Sequence, residues 1–368
     1  MNPRYIRKIR GVRPLFFAGN TLYCSRYDSI LASDDLGVTF REIGQIPILS
    51  KYAPVAKFSK LARRVLRMST YRLRVLDGGN IIFTFKGGVY LLRAGEKQAV
   101  CQFVIERGSR PVSLAYKPGG MVIWGEYFDN RERGPVNIYG SCDLGETWQK
   151  VYSFNGEIRH VHGITYDEYA DCFWICTGDR EGEERLIRAN ADFSKVDVVL
   201  KGGQKNRFYS LTVTPDVIWT ANDSPNCDNF VRRYDKSTGE IDDIARIDNS
   251  SFYGCMVGER YFCSTNSERP ERNLPRTFSQ PNDYSATHVW MTNSRTSQAR
   301  RVLSFPTDIW FKLSGLPKVH PVLFQYTRVF FPEGHNPTDK LVCHTIGTGG
   351  CDDCMLVYDI SALEAAGL

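Results

Sequence analysis

The chain has 368 residues, of which 42% are apolar and 24% charged, and a formal net charge of +6 from 47 Lys and Arg against 41 Asp and Glu. This composition excludes collagenous and disordered proteins, and no apolar run approaches the roughly 18 residues that a membrane span needs. The mild positive charge favours an acidic partner, and no Lys/Arg tract indicates nucleic-acid binding.

The cysteines and the N-terminal residues indicate a reducing compartment. Eleven Cys are scattered along the chain, and they follow no disulfide spacing. CDDC at 351–354 is interpreted as a reduced loop dithiol, with a metal site as the alternative. The basic start MNPRYIRKIRGVRP leads into only a short apolar stretch, unlike a secretory signal. We therefore predict a cytoplasmic protein with all of its cysteines reduced.

A pattern of strand, turn and strand recurs along the chain. Each unit has a short apolar strand, a turn rich in Gly, Pro or Asp, and a second strand that ends in small polar residues. The seven units are PLFFAGN with TLYCS, YRLRVLDGGN with IIFTF, PVSLAYKPGG with MVIWGE, HVHGITYDEYAD with CFWICTGD, FYSLTVTPD with VIWTAND, FYGCMVGE with RYFCSTN, and YTRVFFPEGHNPTD with KLVCHTIG. Most are followed by two further candidate strands.

Four short strands in a unit of about 50 residues are typical of a β-propeller. We predict one all-β domain over residues 1–368, a seven-bladed β-propeller, with a six-bladed ring as the alternative because the stretch 250–320 is irregular. The N-terminal YIRKIRG is predicted to close the ring by pairing into the last blade, since an unpaired strand edge is a liability. SKLARRVLRM at 59–68 is the one strong helical pattern.

Two turns share the pattern S-x-D-x-G-x-T followed by Trp or Phe. They are SDDLGVTF at 33–40 and SCDLGETW at 141–148, and ANADFSKVDVV at 189–199 is similar to a decayed third copy. The two turns resemble the Asp-box, or bacterial neuraminidase repeat, of sialidase-like β-propellers. The resemblance implies a structural turn between the third and fourth strands of a blade, on the face opposite the binding site. HVHGITYDEY and FWICTGD resemble a glycosyl hydrolase-like branch of these proteins.

The candidate site residues lie at the starts of the innermost strands and the ends of the second strands, which should meet at one end of the axis. The catalytic candidates are His160, His162, Tyr209, Arg207, Asp179 and Asp223, and the substrate-binding candidates are Arg110, Arg159, Glu126, Tyr253, Arg328 and His344. Aligned by their turns, three blades place Arg110, His160 and Arg207 at equivalent positions. The alternatives are that the basic residues line a solvated channel and that Asp179 and Asp223 cap turns.

These residue types are loosely similar to those of propeller polysaccharide lyases, in which a His or Tyr base works with an Arg that neutralises a uronic-acid carboxylate. Here Arg207 would hold the carboxylate, and His160 or His162 would exchange the proton. We therefore expect a glycosidase or lyase acting on an acidic oligo- or polysaccharide, with neither nucleic acid nor a membrane as partner. The alternatives are a non-catalytic carbohydrate-binding propeller and a protein-interaction propeller.

The sequence predicts no cofactor, with a divalent metal at the His/Asp cluster as the alternative. His160, His162, Asp179, Asp223 and His344 offer enough ligands for zinc, but they lie on separate strands without motif spacing. Two insertions, 51–68 and 267–288, are rich in Arg and are predicted to overhang the binding face. Such a basic lid favours an acidic ligand, and an oligomer contact is the alternative.

Overall fold

The computed structural model describes residues 2–47, 69–108, 111–270, 276–293, 298–313 and 325–366, together with positions 55, 58, 59 and 62. Most of the predicted helix at 59–68 therefore lies outside the described residues. The described chain is almost entirely strand and turn, with short helices α1 (Ile309–Leu313) and α2 (Ile360–Ala366) and single helical turns at Asp77–Gly79 and Gln204–Asn206. None of the described helices is long and apolar enough to cross a membrane.

The chain begins with β1 (Arg7–Arg10) and then forms seven four-stranded sheets. Blade one contains β2 (Arg13–Ala18), β3 (Thr21–Arg26), β4 (Ser29–Ser33) and β5 (Arg41–Gln45). Blade two contains β6 (Leu73–Val75), β7 (Ile81–Phe85), β8 (Gly88–Leu92) and β9 (Val100–Val104). Blade three contains β10 (Ala115–Tyr116), β11 (Val122–Gly125), β12 (Val136–Ser141) and β13 (Gln149–Phe154).

The remaining blades follow the same order. Blade four contains β14 (Val161–Asp167), β15 (Cys172–Thr177), β16 (Arg185–Asn190) and β17 (Val196–Lys201). Blade five contains β18 (Phe208–Val213), β19 (Val217–Asn222), β20 (Asn229–Asp235) and β21 (Ile241–Ile247). Blade six contains β22 (Ser251–Val257), β23 (Arg260–Thr265), β24 (Ala286–Asn293) and β25 (Ala299–Pro306). Blade seven contains β26 (Arg328–Phe330), β27 (Lys340–Ile346) and β28 (Cys354–Asp359), with β1 as its outer strand.

The ring closes through strand β1, which pairs antiparallel with β28 in a register that sets Arg7 opposite Val357 and Arg10 opposite Cys354. The predictions of seven blades and of closure by YIRKIRG are therefore confirmed. This pairing joins the first residues of the chain to its last strand, so that the outer edge of β28 is covered.

The core lies between the blades. All residues of the second strands β7 and β15 are buried, whereas the outer strands β13 and β17 have at most one buried residue each. The second strands read as continuous apolar runs because both of their faces pack against neighbouring blades. This packing leaves the ends of the inner strands around the axis to carry polar side chains.

Four of the inner strands carry a register irregularity near their start. In β14 it falls between Val161 and Gly163, so that His162 is the extra residue. Equivalent shifts lie between Pro14 and Phe16 and near the starts of β18 and β22. A bulge re-aims side chains locally, and these bulges lie where the inner strands approach the axis.

Candidate functional site

Antiparallel strand order places the start of each inner strand and the connection between its second and third strands at the same end of a blade. In blade four these two segments carry the pair His160 and His162 and, after β15, Asp179. The connections between third and fourth strands, which include residues 33–40 and 141–148, lie at the opposite end. The predicted orientation of these turns relative to the histidines is therefore confirmed.

Both of the S-x-D-x-G-x-T turns have the same internal hydrogen bonds. Ser141 Oγ donates to Asp143 Oδ1 over 2.7 Å, Gly145 N donates to Ser141 Oγ over 2.8 Å, and Thr147 N donates to Asp143 Oδ1 over 2.9 Å. Gly145 has a φ of 91°, and a Cβ there would lie 2.8 Å from an Ile82 side-chain atom of blade two. The turn therefore ties blade three to its neighbour, which is a structural role.

His160, His162 and Asp179 form a compact buried triad. The two Nε2 atoms lie 3.1 Å apart, and they lie 3.1 Å and 3.2 Å from the Asp179 carboxylate oxygens Oδ2 and Oδ1, respectively. The Nδ1 atoms of His160 and His162 each lie 3.0 Å from a backbone carbonyl oxygen, those of Phe128 and Phe208. Each imidazole is thus held at both ring nitrogens.

Asp179 is the point at which these side chains meet. Its φ of 109° is rare for a residue with a side chain, and such strain persists where surrounding contacts over-determine it. Arg159 Nη1 lies 3.1 Å from Oδ2, and Arg207 Nη2 lies 3.0 Å from Oδ1. Burial by itself raises the pKa of the Asp179 carboxyl, but its contacts with His160 and His162 and the Arg207 charge hold this pKa well below its usual range.

A second carboxyl group, that of Asp223, lies on the other side of Arg207. The Arg207 Nε and Asp223 Oδ2 atoms are 3.6 Å apart, and Asp223 Oδ1 is buried without a hydrogen-bond partner among the described residues. Burial raises the pKa of Asp223 well above its usual range, the Arg207 charge opposes this, and the nearby charge of Glu268 adds to it. Arg207 is therefore engaged by two carboxyl groups from different blades.

Three tyrosine hydroxyls meet at the axis. Tyr71 Oη lies 2.8 Å from Tyr209 Oη and also hydrogen bonds to Tyr253 Oη. These residues come from blades two, five and six, which can meet only near the centre of a seven-bladed ring. Burial raises the pKa of both Tyr209 and Tyr253, so the phenols stay protonated near neutral pH.

Arginines surround the tyrosine cluster. Arg72 donates from Nε to the Val112 carbonyl oxygen over 2.7 Å and forms an ion pair of 2.6 Å with Glu333. Arg328 instead stacks over Phe252, 5.3 Å from its ring centre, and its buried Nε has no hydrogen-bond partner in the part of the chain that the structure describes. Among the described residues, no carboxylate lies within ion-pair distance of Arg328.

The side chains of two predicted site residues have partners outside the triad. Glu126 pairs with Arg107, whose Nε lies 3.0 Å from Oε1, and accepts a hydrogen bond of 2.7 Å from the Asn137 backbone. His344 lies 3.4 Å from Asp353 on blade seven. Neither residue has a described contact with the triad, because each side chain is turned towards a partner on its own blade. Arg110 lies outside the described residues.

Two further residues, one beside the triad and one beside the tyrosine cluster, are absent from the sequence-based predictions. Tyr127 packs on His160 with ring centroids 4.1 Å apart, and Arg13 stacks over Phe330 at 4.0 Å. Tyr127 follows the second strand of blade three, directly after the predicted site residue Glu126, and this position in the sequence identifies it as a candidate site residue. Arg13 is the first residue of β2, and Arg207 immediately precedes β18. Aligning blade one with blade five therefore identifies Arg13 as a candidate site residue.

The predicted insertion after β23 forms a cleft on the same face. It has a volume of about 570 Å³ and is lined by Arg269, Pro270, Arg276, Phe278, Ser279, Gln280, Pro281, Asn282 and Tyr284. Glu268 begins this segment, and its charge acts on both Asp223 and Arg328. The insertion therefore adjoins the site, as expected, and contributes two arginines to an open cleft.

No family model matches the chain, and no curated protein matches it. Solved structures share its fold. They include a chain of the "Mitotic Checkpoint Complex" (TM-score 0.55, 9% identity, covering 98% of this chain and 96% of that chain) and the GH74 enzyme of Niastella koreensis (0.53, 11%, 82% and 47%). An extracellular domain of a hybrid two component system from B. thetaiotaomicron gives 0.54 at 9% identity, covering 95% and 39%. At these identities the likeness shows the fold alone.

Proposed function

We propose that this propeller binds an anionic carbohydrate at the axial end that carries Arg328 and the tyrosine cluster, and cleaves it as a glycosidase. The observation that carries this proposal is the half-buried Arg328 side chain, whose buried Nε has no hydrogen-bond partner and which has no carboxylate within ion-pair distance among the described residues. Asp223 and Glu268 act on this guanidinium only from beyond ion-pair distance, whereas a carboxylate of a uronic- or sialic-acid-type sugar would supply a bidentate partner. The likeness to a GH74 enzyme is consistent with a carbohydrate-active propeller.

The proposal moves the carboxylate-binding role from Arg207 to Arg328. Arg207 already has Asp179 at 3.0 Å and Asp223 at 3.6 Å, so a substrate carboxylate would have to compete with two protein carboxyl groups. Arg207 is better suited to positioning these acids. The phenols around Arg328 remain donors, and they can hydrogen bond to sugar oxygens while their rings stack on the sugar.

Asp223 is our candidate for the proton donor. Burial raises the pKa of its carboxyl well above the usual range, which favours the protonated form that delivers a proton to the oxygen of a leaving sugar. Glycoside hydrolysis requires a second carboxyl group, and Glu268, whose charge acts on Asp223, supplies it.

Glycan binding and cleavage test the proposal separately. Purified protein is screened against uronic- and sialic-acid-type oligosaccharides by calorimetry, and products are followed by new reducing ends and by absorbance of an unsaturated bond. We expect Arg328→Met to weaken binding at least tenfold, because it removes the guanidinium that pairs with the sugar carboxylate. The melting temperature checks that this variant stays folded. Arg188→Met is the matched control, since Arg188 also stacks on an aromatic ring, 6.0 Å from Trp174, but is exposed on an outer part of blade four.

Asp223→Asn is expected to lower turnover about a hundredfold or more while leaving binding in place, because it removes the proton donor. An unsaturated product would show a lyase instead of a glycosidase. Binding without any turnover by the unmodified protein would show a non-catalytic carbohydrate receptor. Failure of every acidic glycan to bind, or binding that Arg328→Met leaves unchanged, would refute the proposal.

A further inference from the structure

The hydrogen bonds of His160 and His162 fix which ring nitrogen carries the proton. A carbonyl oxygen only accepts, so each Nδ1 must donate, His160 to Phe128 and His162 to Phe208. In the neutral imidazoles both Nε2 atoms are then lone-pair acceptors. They face each other at 3.1 Å, and they face the Asp179 carboxylate, which is also an acceptor. The centre of the triad therefore lacks a cation.

A single added proton does not satisfy this arrangement. A proton on His160 Nε2 can be shared between His162 Nε2 and Asp179 Oδ2. The His162 Nε2 lone pair then still faces the acceptor Asp179 Oδ1 at 3.2 Å. Protons on both rings would place two N–H donors head to head across 3.1 Å. An ion at the centre would satisfy all three contacts at once.

We propose that His160, His162 and Asp179 form a binding site for a divalent first-row metal ion, with Zn²⁺ as the expected occupant. Bonds of about 2.1 Å place cis ligands of an octahedral ion roughly 3.0 Å apart and ligands of a tetrahedral ion roughly 3.4 Å apart. The separations of 3.1, 3.1 and 3.2 Å lie within this interval, and because the two histidines face different oxygens of Asp179, the carboxylate would bind the ion through both. Two imidazoles and one carboxylate are a ligand set for such ions.

The surroundings supply the outer contacts that metal ligands use. Metal-binding histidines usually donate their second ring N–H to a carbonyl or carboxylate, as both of these do. Arg159 and Arg207 bind one carboxylate oxygen of Asp179 each, and the remaining lone pairs can face the ion. The bulge at His162 brings two histidines of one strand segment to the same ion.

Metal binding is measured on the full chain without any glycan. Protein purified with a chelator and dialysed free of it is titrated with Zn²⁺ by calorimetry and with Co²⁺ by absorption, which reports the coordination geometry. We expect one ion per chain. His162→Gln and Asp179→Asn should each weaken binding by at least the ~10- to 100-fold typical of losing an outer-sphere contact. Asn tolerates the positive φ at position 179 better than most residues.

His288→Gln is the matched control, since His288 is also buried and lies 3.1 Å from a carboxylate oxygen of Asp283, but no other described histidine lies beside it. This variant should bind the ion as the unmodified protein does. Absence of Zn²⁺ and Co²⁺ binding by the unmodified protein would overturn the inference, whether or not any variant folds. Binding that survives in both His162→Gln and Asp179→Asn would place the ion elsewhere and also overturn it.

The metal inference does not rest on the proposed function. Arg328→Met, which tests glycan binding, leaves all three ligands in place and should leave the affinity for Zn²⁺ unchanged. Loss of metal binding alone therefore tests the metal site, and loss of glycan binding alone tests the proposed glycan site.

Discussion

Single side chains near the axis have partners from several blades. Asp179 contacts Arg159 and two histidines of its own blade and Arg207 of the next, and it does so from a backbone conformation with φ 109°. The cost of this conformation is offset by four charged or polar partners. Glu333 has a similar position on the opposite side of the axis, where it pairs with Arg72 and Arg74.

Glu333→Gln is expected to destabilise the protein by roughly 2 to 3 kcal/mol, because it leaves Arg72 buried without its charge partner. Burial alone would raise the pKa of Glu333, but Arg72 and Arg74 lower it below its usual value. Its stabilisation is therefore complete above the unfolded-state pKa, about 4.3, and is lost as pH falls through the lower folded-state pKa. Urea unfolding between pH 7 and pH 3 measures both effects.

The matched control for this pair is Glu146→Gln. Glu146 also binds an arginine, Arg93, with two hydrogen bonds, but both side chains are more than a third exposed to solvent. We expect no measurable change there, because solvent screens an exposed pair. If the two substitutions changed the free energy of unfolding equally, the pair of Glu333 and Arg72 would contribute no more to stability than an exposed ion pair.

The inner strands approach one another closely at the site. Gly163 of β14 lies against β18, and a Cβ at this position would be 2.4 Å from the Tyr209 carbonyl oxygen. The obstacle is backbone, which cannot move aside as a flexible side chain would. Gly163 therefore sets the distance between blades four and five, and with it the contact between His162 and Tyr209, whose ring centroids are 5.8 Å apart.

Gly163→Ala is expected to lower stability by about 1 to 3 kcal/mol through overpacking. It should also weaken metal binding, because β14 must shift away from β18. Gly134→Ala is the control, since a Cβ there would meet nothing closer than 3.8 Å and the residue has no positive φ. A Gly163→Ala protein as stable as the unmodified chain would contradict the close approach of these strands.

The molecule as a whole is one closed ring whose cysteines are structural. All eleven cysteines are free, and several, such as Cys176, are fully buried on second strands. Burial raises the pKa of the Cys263 thiol to about 12, which makes it unreactive in the folded protein. A cytoplasmic location stays a prediction. It is consistent with cysteines that form no disulfide bonds.

Thiol titration tests this at the level of the whole chain. Without reductant, the native protein should react quickly at exposed Cys142 and slowly or not at all at the buried thiols. After denaturation, close to all eleven should react. A large shortfall in the denatured protein would reveal disulfides and would contradict both the reduced state and the predicted compartment.

Local features of the sequence sufficed for the seven blades, the closing strand and the orientation of the turns at 33–40 and 141–148. Strands and turns depend mainly on residues that are close together in the sequence. Because the same pattern recurs in each blade, the prediction is supported by several copies of it. The same reasoning placed His160, His162, Asp179 and Arg207 at one end of the ring, since strand direction alternates along the chain.

Tertiary structure decided which of these side chains touch. The sequence alone does not show that Arg207 pairs with Asp179 and Asp223. Nor does it show that Glu126 forms an ion pair with Arg107, or that three tyrosine hydroxyls hydrogen bond to one another. Partners such as Tyr71 and Tyr253 are far apart in the chain, and their contact depends on the angle between blades. In β14 one extra residue, His162, forms a bulge. Such shifts of a few ångströms arise from packing around the whole ring, and no local pattern encodes them.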